Sequence, residues 1–548
     1  MTQPMASDPN ITARPMHPTA TRLISSIGCL GNKLADNVRA LRPYQITLRR
    51  ICRLDGEPPG FGWTCGRSSG PTGALCERHS LKFGHRRGPA ALANRNALGQ
   101  SDGNRRCWTH CHGQGLMLRG AGEIAGGGAI MRSPQQMTDG GDVLDAVVIG
   151  AGWAGLGVSY WLARRGLRHS VLERGRIGET WLAQRWDSFR MNTPNVQTVM
   201  PGDCYDGPDP DGALTRDQFV TLLEDFAGRN ALPIEPDTAV SELTHENGAY
   251  RLTTSHGTLW ARNVIVASGS LNCPVRPVWA TALSPALHQI DASGYRSAAD
   301  LPDGAVLVVG GGQSGVQIAE ELADVGRTVF LATSRVGRLP RRYRGRDIMV
   351  WLLESGFLDV RREEVIRLAG RIPPRGVLGS MHTISLQALS AQGVVLLGRL
   401  TGIEDGGSLS FADDLEANAR FADEASENVK RHVDDYISRA GIDAPVAEPD
   451  PAETVAMRQP NPTIGSLDLS RSGVTSVVWC TGFRGDFSWM RLPGALDSAG
   501  QPVHADGVAA LPGLYFAGLD FASTRKSGII LAIAEEAPRL VEHIARHS

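Results

Sequence analysis

The chain has 548 residues, of which 42% are hydrophobic and 21% are charged, and its formal net charge is −1 with neutral histidines. This length is enough for several domains with separate cores, and the composition is ordinary for a soluble globular protein. No apolar run reaches the roughly 18 to 20 residues that a membrane helix needs, and no secretion signal opens the chain. We therefore predict a cytoplasmic protein without a membrane span.

The first 136 residues differ from the remainder in charge and in pattern. They hold 18 Lys and Arg against 7 Asp and Glu, show no helix or strand period, and carry six of the nine cysteines. Such a segment buries too little apolar surface to offset the entropy of ordering it. We predict a disordered extension over 1–136. Alternatively, translation begins at Met131 or Met137 and the preceding stretch only extends the reading frame.

Two kinds of ligand could be considered for this extension. Basic tails can bind nucleic acid or anionic lipid, but no sustained Lys/Arg block is present, so we predict no nucleic-acid partner. Zinc prefers thiolate and imidazole ligands, and such groups lie close together at Cys107, His110, Cys111 and His112. Their spacing matches no complete zinc site, so no metal is predicted.

A regular pattern of strand, glycine-rich turn and helix begins near residue 143. The strand 147–149 runs into the turn Gly150–Gly155, and a helical pattern covers 157–165. Such a turn brings bare backbone close to a pyrophosphate, and the helix N-terminus offers free N–H groups to it. The residues predicted to bind a dinucleotide here are Gly150, Gly152, Ala154 and Gly155.

The next strand, 170–172, ends at Glu173, about twenty residues after the turn. A carboxylate at this point can accept hydrogen bonds from the hydroxyls of an unphosphorylated ribose, as in FAD. The first site is therefore predicted to bind FAD.

A second copy of the pattern consists of the strand 306–309, the turn Gly310–Gly315 and a helix over 316–325. Its following strand, 328–331, leads to arginines instead of an acid, and arginine can form a fork of hydrogen bonds onto a phosphate. We predict an NADPH site formed by Gly310, Gly312, Gln313, Ser314, Gly315, Ser334 and Arg335. For Arg335 and the nearby Arg338, Arg341 and Arg342, a solvated basic loop is the alternative.

Three further strands, within 263–269, 477–482 and 513–518, each end at a glycine. The residues expected to reach a cofactor from them are Gly269, Gly482, Gly518 and Asp520. Alternating strands and helices imply parallel sheets. We predict an α/β fold with two Rossmann-type domains, in which an FAD domain over 143–300 and 466–548 is split by an inserted NADPH domain over 301–465.

Other helices are predicted over 215–229, 413–440 and 529–545, and a loop is predicted over 444–462. The helix 413–440 has one apolar face suited to packing, formed by Leu415, Ala419, Ala422, Val429, Val433 and Ile437. Three cysteines after the extension, Cys204, Cys273 and Cys480, form no C-x-x-C pair. This argues against a disulfide reductase, which needs adjacent thiols.

The part of the chain from Val143 onward resembles the flavin-containing monooxygenase superfamily, and within it a bacterial branch of FAD-dependent oxidoreductases. Four segments carry the resemblance in addition to the two turns: Arg185–Arg190, Asn192–Asn195, Arg342–Asp347 and Arg525–Gly528. The resemblance implies an enzyme in which NADPH reduces FAD and O₂ forms a C4a-hydroperoxyflavin. One oxygen atom then passes to a small organic substrate in N-, S- or Baeyer–Villiger-type oxygenation.

The resemblance also implies roles for residues after the first turn. Gly178, Thr180 and Trp181 would lie along the FAD, and the amide of Asn192 would hold the flavin-bound peroxide. The alternative for Asn192 is a turn residue beside Thr193 and Pro194.

One segment departs from the superfamily pattern. The superfamily's fingerprint is an aromatic residue and a glycine followed by a histidine and, four residues later, a second aromatic residue. It would fall on Pro285, Leu287, Asp291 and Tyr295, of which only Tyr295 fits. Asp291 stands where the family has histidine, and His288 lies three residues early. This departure indicates poorer coupling of oxygen transfer, or another use of the reduced flavin.

Two alternative functions therefore stay open. One is an NADPH-dependent flavin oxidoreductase or oxidase without oxygen insertion, and the other is a nucleotide-sensing or scaffolding flavoprotein with the basic tail as a partner arm. Four aromatic residues, Trp181, Trp186, Phe189 and Trp489, indicate either an apolar substrate or core packing. Substrate identity and oligomeric state are not encoded in any pattern of the sequence.

Overall fold

A computed structural model describes residues 143–404, 407–458 and 463–547. The predicted extension over 1–136, its possible start sites and its zinc-type residues lie outside the described residues. Within the described ranges, no helix is both long and apolar enough to cross a membrane.

The strands of the described ranges, numbered in chain order, are β1 Leu144–Ile149, β2 His169–Leu172, β3 Ile234–Glu235, β4 Val240–Glu246, β5 Ala249–Thr254, β6 Gly257–Val266, β7 Cys273–Pro274, β8 His288–Asp291, β9 Ala305–Val309, β10 Val329–Ala332, β11 Arg342–Tyr343, β12 Arg346–Asp347, β13 Val395–Leu397, β14 Leu400–Ile403, β15 Leu409–Phe411, β16 Ser466–Leu467, β17 Val474–Trp479, β18 Phe483–Arg484 and β19 Leu514–Phe516.

The α-helices, numbered in the same way, are α1 Trp153–Arg164, α2 Glu179–Ala183, α3 Arg216–Arg229, α4 Gln313–Asp324, α5 Ile348–Glu354, α6 Arg362–Ala369, α7 Leu386–Ala391, α8 Leu415–Ala440, α9 Pro451–Thr454 and α10 Ile533–His547.

The first sheet has the order β3-β2-β1-β6-β5-β4, with β19 also paired to β6. Its β1, β2, β3, β6 and β19 run parallel, whereas β4 and β5 form an antiparallel extension. Ile149 at the end of β1 lies opposite Leu172 and Val266. The turn after β1 therefore lies beside the carboxyl ends of its two neighbouring strands.

The second sheet is parallel throughout, in the order β13-β10-β9-β17-β8. Its strand β9 occupies the place that β1 has in the first sheet, since Val309 lies opposite Ala332 and Trp479. Each glycine-rich turn thus opens at the carboxyl edge of its own sheet. This confirms the predicted α/β fold with two Rossmann-type domains, the first of them completed by β19 after the second.

The chain passes from one sheet to the other at different residues from the predicted domain boundaries at 300/301 and 465/466. Strand β8 at 288–291 and strand β17 at 474–479 both pair within the second sheet. The segment around β17 resembles the one around β6 because each strand lies next to the glycine-turn strand of its own sheet. Local sequence shows that a strand ends in a glycine, but the long-range pairing decides which sheet the strand joins.

The five predicted helices are present, with ends within about four residues of the predicted ones, whereas the shorter helices α2, α5, α6, α7 and α9 were not predicted. Helix α3 begins after Thr215, whose hydroxyl and the Gln218 side chain form a reciprocal capping box. Helix α8 buries Leu415, Ala419, Ala422, Val429 and Val433, whereas Ile437 is only partly buried. The predicted loop over 444–462 contains the short helix α9, because Asp450 caps the Ala452 N–H and Pro451 suits a first helical turn.

Candidate active site

The first glycine-rich turn is shaped so that a side chain at either of two of its glycines would clash with backbone atoms. Gly150 has φ +107°, and a Cβ there would lie 2.6 Å from the Ala267 carbonyl oxygen. A Cβ at Gly155 would overlap the carbonyl oxygen of Gly150, because helix and strand pack closely at this point. A Cβ at Gly152 would meet nothing within 4 Å, and no side chain caps the N-terminus of α1. Open space therefore lies before uncapped N–H groups, which fits a pyrophosphate.

Glu173 lies directly after β2 and is buried at the same edge. Its Oε2 accepts a hydrogen bond from the Ala151 N–H at 2.8 Å, and its Oε1 accepts one from the Gly175 N–H at 3.0 Å. Each carboxylate oxygen can accept a second hydrogen bond. The carboxylate is thus fixed beside the turn with acceptor capacity left for ribose hydroxyls.

Residues 178–181 lie against this turn. Gly178 has φ +70° and donates its N–H to the Ala151 carbonyl at 3.2 Å, and Thr180 follows in the first turn of α2. Gly518, with φ +74°, lies against α1, since a Cβ there would be 2.6 Å from the Cβ of Ala154. Gly269 also has a positive φ, +85°, and space around it.

The aromatic residues after α2 pack mainly on one another. The Trp181 ring lies 4.8 Å from the Phe219 ring and 6.0 Å from the Phe189 ring, and Trp186 packs edge-on against Phe189 at 5.2 Å. Trp489 packs against a different core cluster, on the other face of the first sheet. These contacts support core packing for the four aromatic residues.

Asp520 forms an ion pair with Arg375, whose Nε donates to Oδ1 at 2.7 Å. The same guanidinium donates to the Arg525 carbonyl at 3.0 Å and stacks over the Phe521 ring at 4.7 Å. The carboxylate expected to reach a cofactor is therefore engaged by an arginine from the segment before Gly376.

The second glycine-rich turn repeats the geometry of the first. Gly310 has φ +122°, a Cβ at Gly315 would overlap the Gly310 carbonyl oxygen, and a Cβ at Gly312 would meet nothing within 4 Å. The Gly311 N–H donates to Ser334 Oγ at 3.3 Å, as Ala151 does to Glu173. A neutral hydroxyl thus replaces the carboxylate, which suits a more anionic ligand.

The side chain of Gln313 is engaged at both ends. Its Nε2 donates to the Leu378 carbonyl at 2.8 Å, and its Oε1 accepts from the Leu378 N–H at 2.9 Å. Ser314 follows in the first turn of α4 and is partly buried. Gly482, with φ +107°, lies in open space after β17. Gln313 therefore anchors the chain around 378 to the start of α4.

The four arginines after β10 have different partners. Arg338 is buried against Asp423 and Glu453, Arg341 against Asp347, and Arg342 pairs with Asp211 at 2.7 Å. Arg335 is exposed and stacks over the Phe421 ring at 4.7 Å. No carboxylate among the described residues pairs with Arg335, so its guanidinium is available to a phosphate.

Asn192 lies where the two halves of the molecule meet. Its Oδ1 accepts hydrogen bonds from Gln317 Nε2 at 3.2 Å and from Ser380 Oγ at 3.0 Å, and its carbonyl accepts one from Arg341 Nη1 at 2.8 Å. Sequence reasoning missed Gln317, Ser380 and Arg375 as parts of this region. Gln317 could have been found, because it lies one helical turn after Gln313; Ser380 and Arg375 lie in irregular chain without a motif.

Residues 285–295, which differ from the superfamily pattern, make contacts of their own. Asp291, at the end of β8, forms a two-point ion pair with Arg276 at 2.6 and 2.8 Å. Tyr295 is fully buried and donates its hydroxyl to Glu321 on α4 at 2.7 Å. Burial, and then the Glu321 contact, raise the pKa of Tyr295 above its ordinary value. Tyr295 therefore anchors the segment to the second domain as a neutral phenol.

The two turns, each at the carboxyl edge of a parallel sheet, define the class as a protein with two domains of the dinucleotide-binding type. Residues 147–352 match the family model described as "Pyridine nucleotide-disulphide oxidoreductase". The chain is 30% identical over 407 residues to an uncharacterized CzcO-like oxidoreductase of Geobacillus kaustophilus, covering 74% of this chain and 99% of the relative. The chain belongs to this CzcO-like oxidoreductase family, which confirms the resemblance to flavin monooxygenase-like bacterial oxidoreductases.

Two other similarities cover less of the chain or have lower sequence identity. The indole-3-pyruvate monooxygenase YUCCA8 of rice, Oryza sativa, is 30% identical over 245 residues, which cover 42% of this chain and 56% of that protein. A mutant flavin monooxygenase from Stenotrophomonas maltophilia has 20% identity and a TM-score of 0.50, over 74% of this chain and 99% of that one. The solved structure shows a shared fold.

The described cysteines bear on the disulphide chemistry in the family model's description. Cys204, Cys273 and Cys480 are free thiols in three separate parts of the described chain. Burial, with a smaller contribution from Asp291, raises the pKa of Cys480 far above its ordinary value. A neutral thiol is a poor nucleophile, so Cys480 gives no support to disulfide reduction.

Proposed function

We propose that the chain is an FAD-dependent monooxygenase that uses NADPH and O₂ to oxygenate a small organic substrate at nitrogen, sulfur or a carbonyl carbon. The observation that carries the proposal is the paired geometry of the turns. Each opens before an uncapped helix N-terminus, one beside a buried carboxylate and the other beside a serine and an arginine that has no carboxylate partner in the described part of the chain. Two different dinucleotides fit this pair.

The residues that would hold FAD are those around the first turn. The pyrophosphate would lie over Gly152 against the N-terminus of α1, and Glu173 would accept hydrogen bonds from the ribose hydroxyls. Gly178, Thr180, Gly269 and Gly518 would border the remainder of the cofactor. Asp520 is the weakest member of this set, since its carboxylate would have to leave or share Arg375.

NADPH would bind at the second turn in the same way, with Gly312 and Ser314 beside its pyrophosphate. Arg335 and Ser334 would bind the ribose 2′-phosphate, because a guanidinium forms strong charge-assisted hydrogen bonds with phosphate oxygens. Gln313 would keep the start of α4 in place through Leu378, without touching the nucleotide.

Bound FAD would supply the redox and oxygen chemistry once NADPH has reduced it. The protein itself would orient the substrate, exclude water and donate hydrogen bonds near the flavin ring. Asn192 is the candidate donor, because its Oδ1 is already occupied and its N–H₂ group has no acceptor among the described residues. The YUCCA similarity favours a substrate that carries a carbonyl group.

The second candidate is an NADPH-dependent flavin oxidoreductase or oxidase that inserts no oxygen. The ion pair of Asp291 with Arg276 favours it, because an acid bound in this way cannot act as the family's histidine would. Both candidates share the two cofactor sites and differ only in the fate of oxygen.

Isotopically heavy O₂ separates the two candidates. The flavin-loaded chain would be incubated with NADPH and a panel of amines, thioethers and ketones, and products would be examined by mass spectrometry. A monooxygenase places one heavy atom in a product and consumes NADPH faster when that substrate is present. Turnover that yields only hydrogen peroxide with every substrate would favour the oxidase.

A further inference from the structure

Asn192 belongs to the first half of the chain, yet all of its hydrogen-bond partners among the described residues come from the second half. Gln317 Nε2 and Ser380 Oγ donate to its Oδ1, and Arg341 Nη1 donates to its carbonyl oxygen. Arg341 is itself buried in an ion pair with Asp347 and donates to the Gly379 carbonyl at 2.9 Å. Asn192 is therefore held from three directions by the second half.

These contacts decide which way the Asn192 amide faces. An amide has an acceptor end and a donor end, and two donors at 3.2 and 3.0 Å keep Oδ1 toward Gln317 and Ser380. The donor end then faces away from these two side chains. A rotated amide would place its N–H₂ group against the Gln317 N–H₂ group, so the observed orientation is the favourable one. The Ser380 hydroxyl, which also lies 3.1 Å from the Arg190 carbonyl oxygen, supplements this contact.

The contacts also connect Asn192 to the second glycine-rich turn. Gln313 and Gln317 lie four residues apart on one face of α4, the helix that this turn opens. Gln313 binds the Leu378 backbone at both ends, and Gln317 binds Ser380 at 3.2 Å. Residues 378–380 are thus fixed to α4 at two points, and a shift of α4 against the first half would release Asn192.

We infer that Gln317 and Ser380 are positioning residues that orient the Asn192 amide, and that this orientation depends on docking of the second nucleotide domain against the first. The inference rests on the proposed function for the role of the Asn192 donor end. Whether the Asn192 N–H₂ group faces the flavin then depends on the position of α4. The second nucleotide site is linked in this way to whether oxygen reaches a substrate or leaves as peroxide.

The test replaces Gln317 by glutamate and by leucine in the flavin-loaded chain. Glutamate keeps the shape but only accepts hydrogen bonds, so it would draw the Asn192 N–H₂ group toward itself. Gln317→Glu should shorten the lifetime of the species that forms when air meets the reduced enzyme by roughly tenfold, and raise peroxide release. Gln317→Leu should have a smaller effect. Gln392→Glu, at an exposed glutamine after α7, is the matched control and should change neither quantity.

A double-mutant cycle on thermal unfolding gives a readout that is independent of oxygen chemistry. If Asn192 and Gln317 interact, the shifts in unfolding temperature of Asn192→Ala and Gln317→Leu should not add in the double variant. Additive shifts would overturn the inference whatever the enzyme does with oxygen. If the cycle shows coupling but the wild-type enzyme releases all oxygen as peroxide, the positioning stands and the proposed monooxygenase function fails. Equal lifetimes for wild type and Gln317→Glu would overturn the inference on a working monooxygenase.

Discussion

At the scale of single residues, the glycines of one turn have different tasks. Gly155 is required by packing, since any Cβ overlaps the Gly150 carbonyl oxygen, whereas Gly152 has an ordinary φ of −82° and empty space before it. The sequence motif contains both glycines without distinguishing them. Only the structure separates the glycine that the fold needs from the glycine beside which we propose that a ligand binds.

This difference gives a matched pair of variants. Gly152→Ala should fold with an unchanged unfolding temperature in the absence of FAD but bind FAD much more weakly, because the new methyl group occupies the space for the pyrophosphate. Gly155→Ala should lower the free energy of unfolding by about 1–3 kcal/mol or prevent folding, because the core must expand. Thermal unfolding without FAD and fluorescence titration with FAD measure the two effects. Unchanged FAD affinity in Gly152→Ala would contradict the first site.

Arg335 is the residue on which we propose that the choice of NADPH over NADH depends. Removing one charge-assisted contact with the 2′-phosphate costs about 1.5–3 kcal/mol, so Arg335→Gln should raise the KM for NADPH roughly tenfold or more. The KM for NADH should stay nearly constant. Arg342→Gln is the control, because Arg342 is paired with Asp211 instead. Steady-state NADPH and NADH oxidation measures both, and equal effects of the two variants would argue for a solvated basic loop.

At the scale of elements, helices α8 and α9 are tied to the second domain by a partly buried charge network. Arg338 binds Asp423 on α8 and Glu453 on α9, and Lys430 and Ser426 also bind Glu453. The sequence predicted α8 and its apolar face, but it indicated neither α9 nor the use of Arg338 as a structural cation. Ion pairs across distant segments have no local pattern, whereas helix periodicity does.

The network should make stability depend on pH. Burial alone would raise the pKa of Glu453, but hydrogen bonds from Lys430, Arg338 and Ser426 outweigh burial and hold it below the ordinary value of 4.5. A lowered pKa in the folded state stabilises the fold above about pH 4.5, and this contribution is lost as the pH falls through the folded-state value. Removing the charge of Glu453, which leaves Lys430 and Arg338 without this partner, should lower the free energy of unfolding by about 3 kcal/mol at neutral pH.

Thermal unfolding of Glu453→Gln across pH checks this expectation. The difference from wild type should be large at pH 7 and should shrink as the pH falls below about 4.5. Glu427→Gln is the control, because Glu427 is an exposed partner of the same Lys430. A constant difference between wild type and Glu453→Gln over the whole range would show that the charge of Glu453 does not contribute.

At the scale of the whole molecule, the sequence predicted both nucleotide-type turns, the parallel sheets and the return of the chain to the first sheet. These features have local signals, because a glycine-rich turn between an apolar strand and a helix is typical of dinucleotide-binding domains. The sequence misplaced β8 and β17, since strand pairing is decided between segments far apart in the chain. The contacts of Asn192 with Gln317 and Ser380 also join segments far apart in the chain, so the sequence did not pair these residues, although the position of Gln317 one helical turn after Gln313 offered a signal.

The central claim is that the two turns hold FAD and NADPH and that electrons pass between them. The most direct measurement mixes the purified, FAD-loaded chain with NADPH, and separately with NADH, in the absence of air while flavin absorbance is recorded. We expect rapid loss of the absorbance of oxidised flavin with NADPH, a slower loss with NADH, and return of the oxidised flavin when air is admitted. A chain that binds FAD but is reduced by neither nucleotide would contradict the claim.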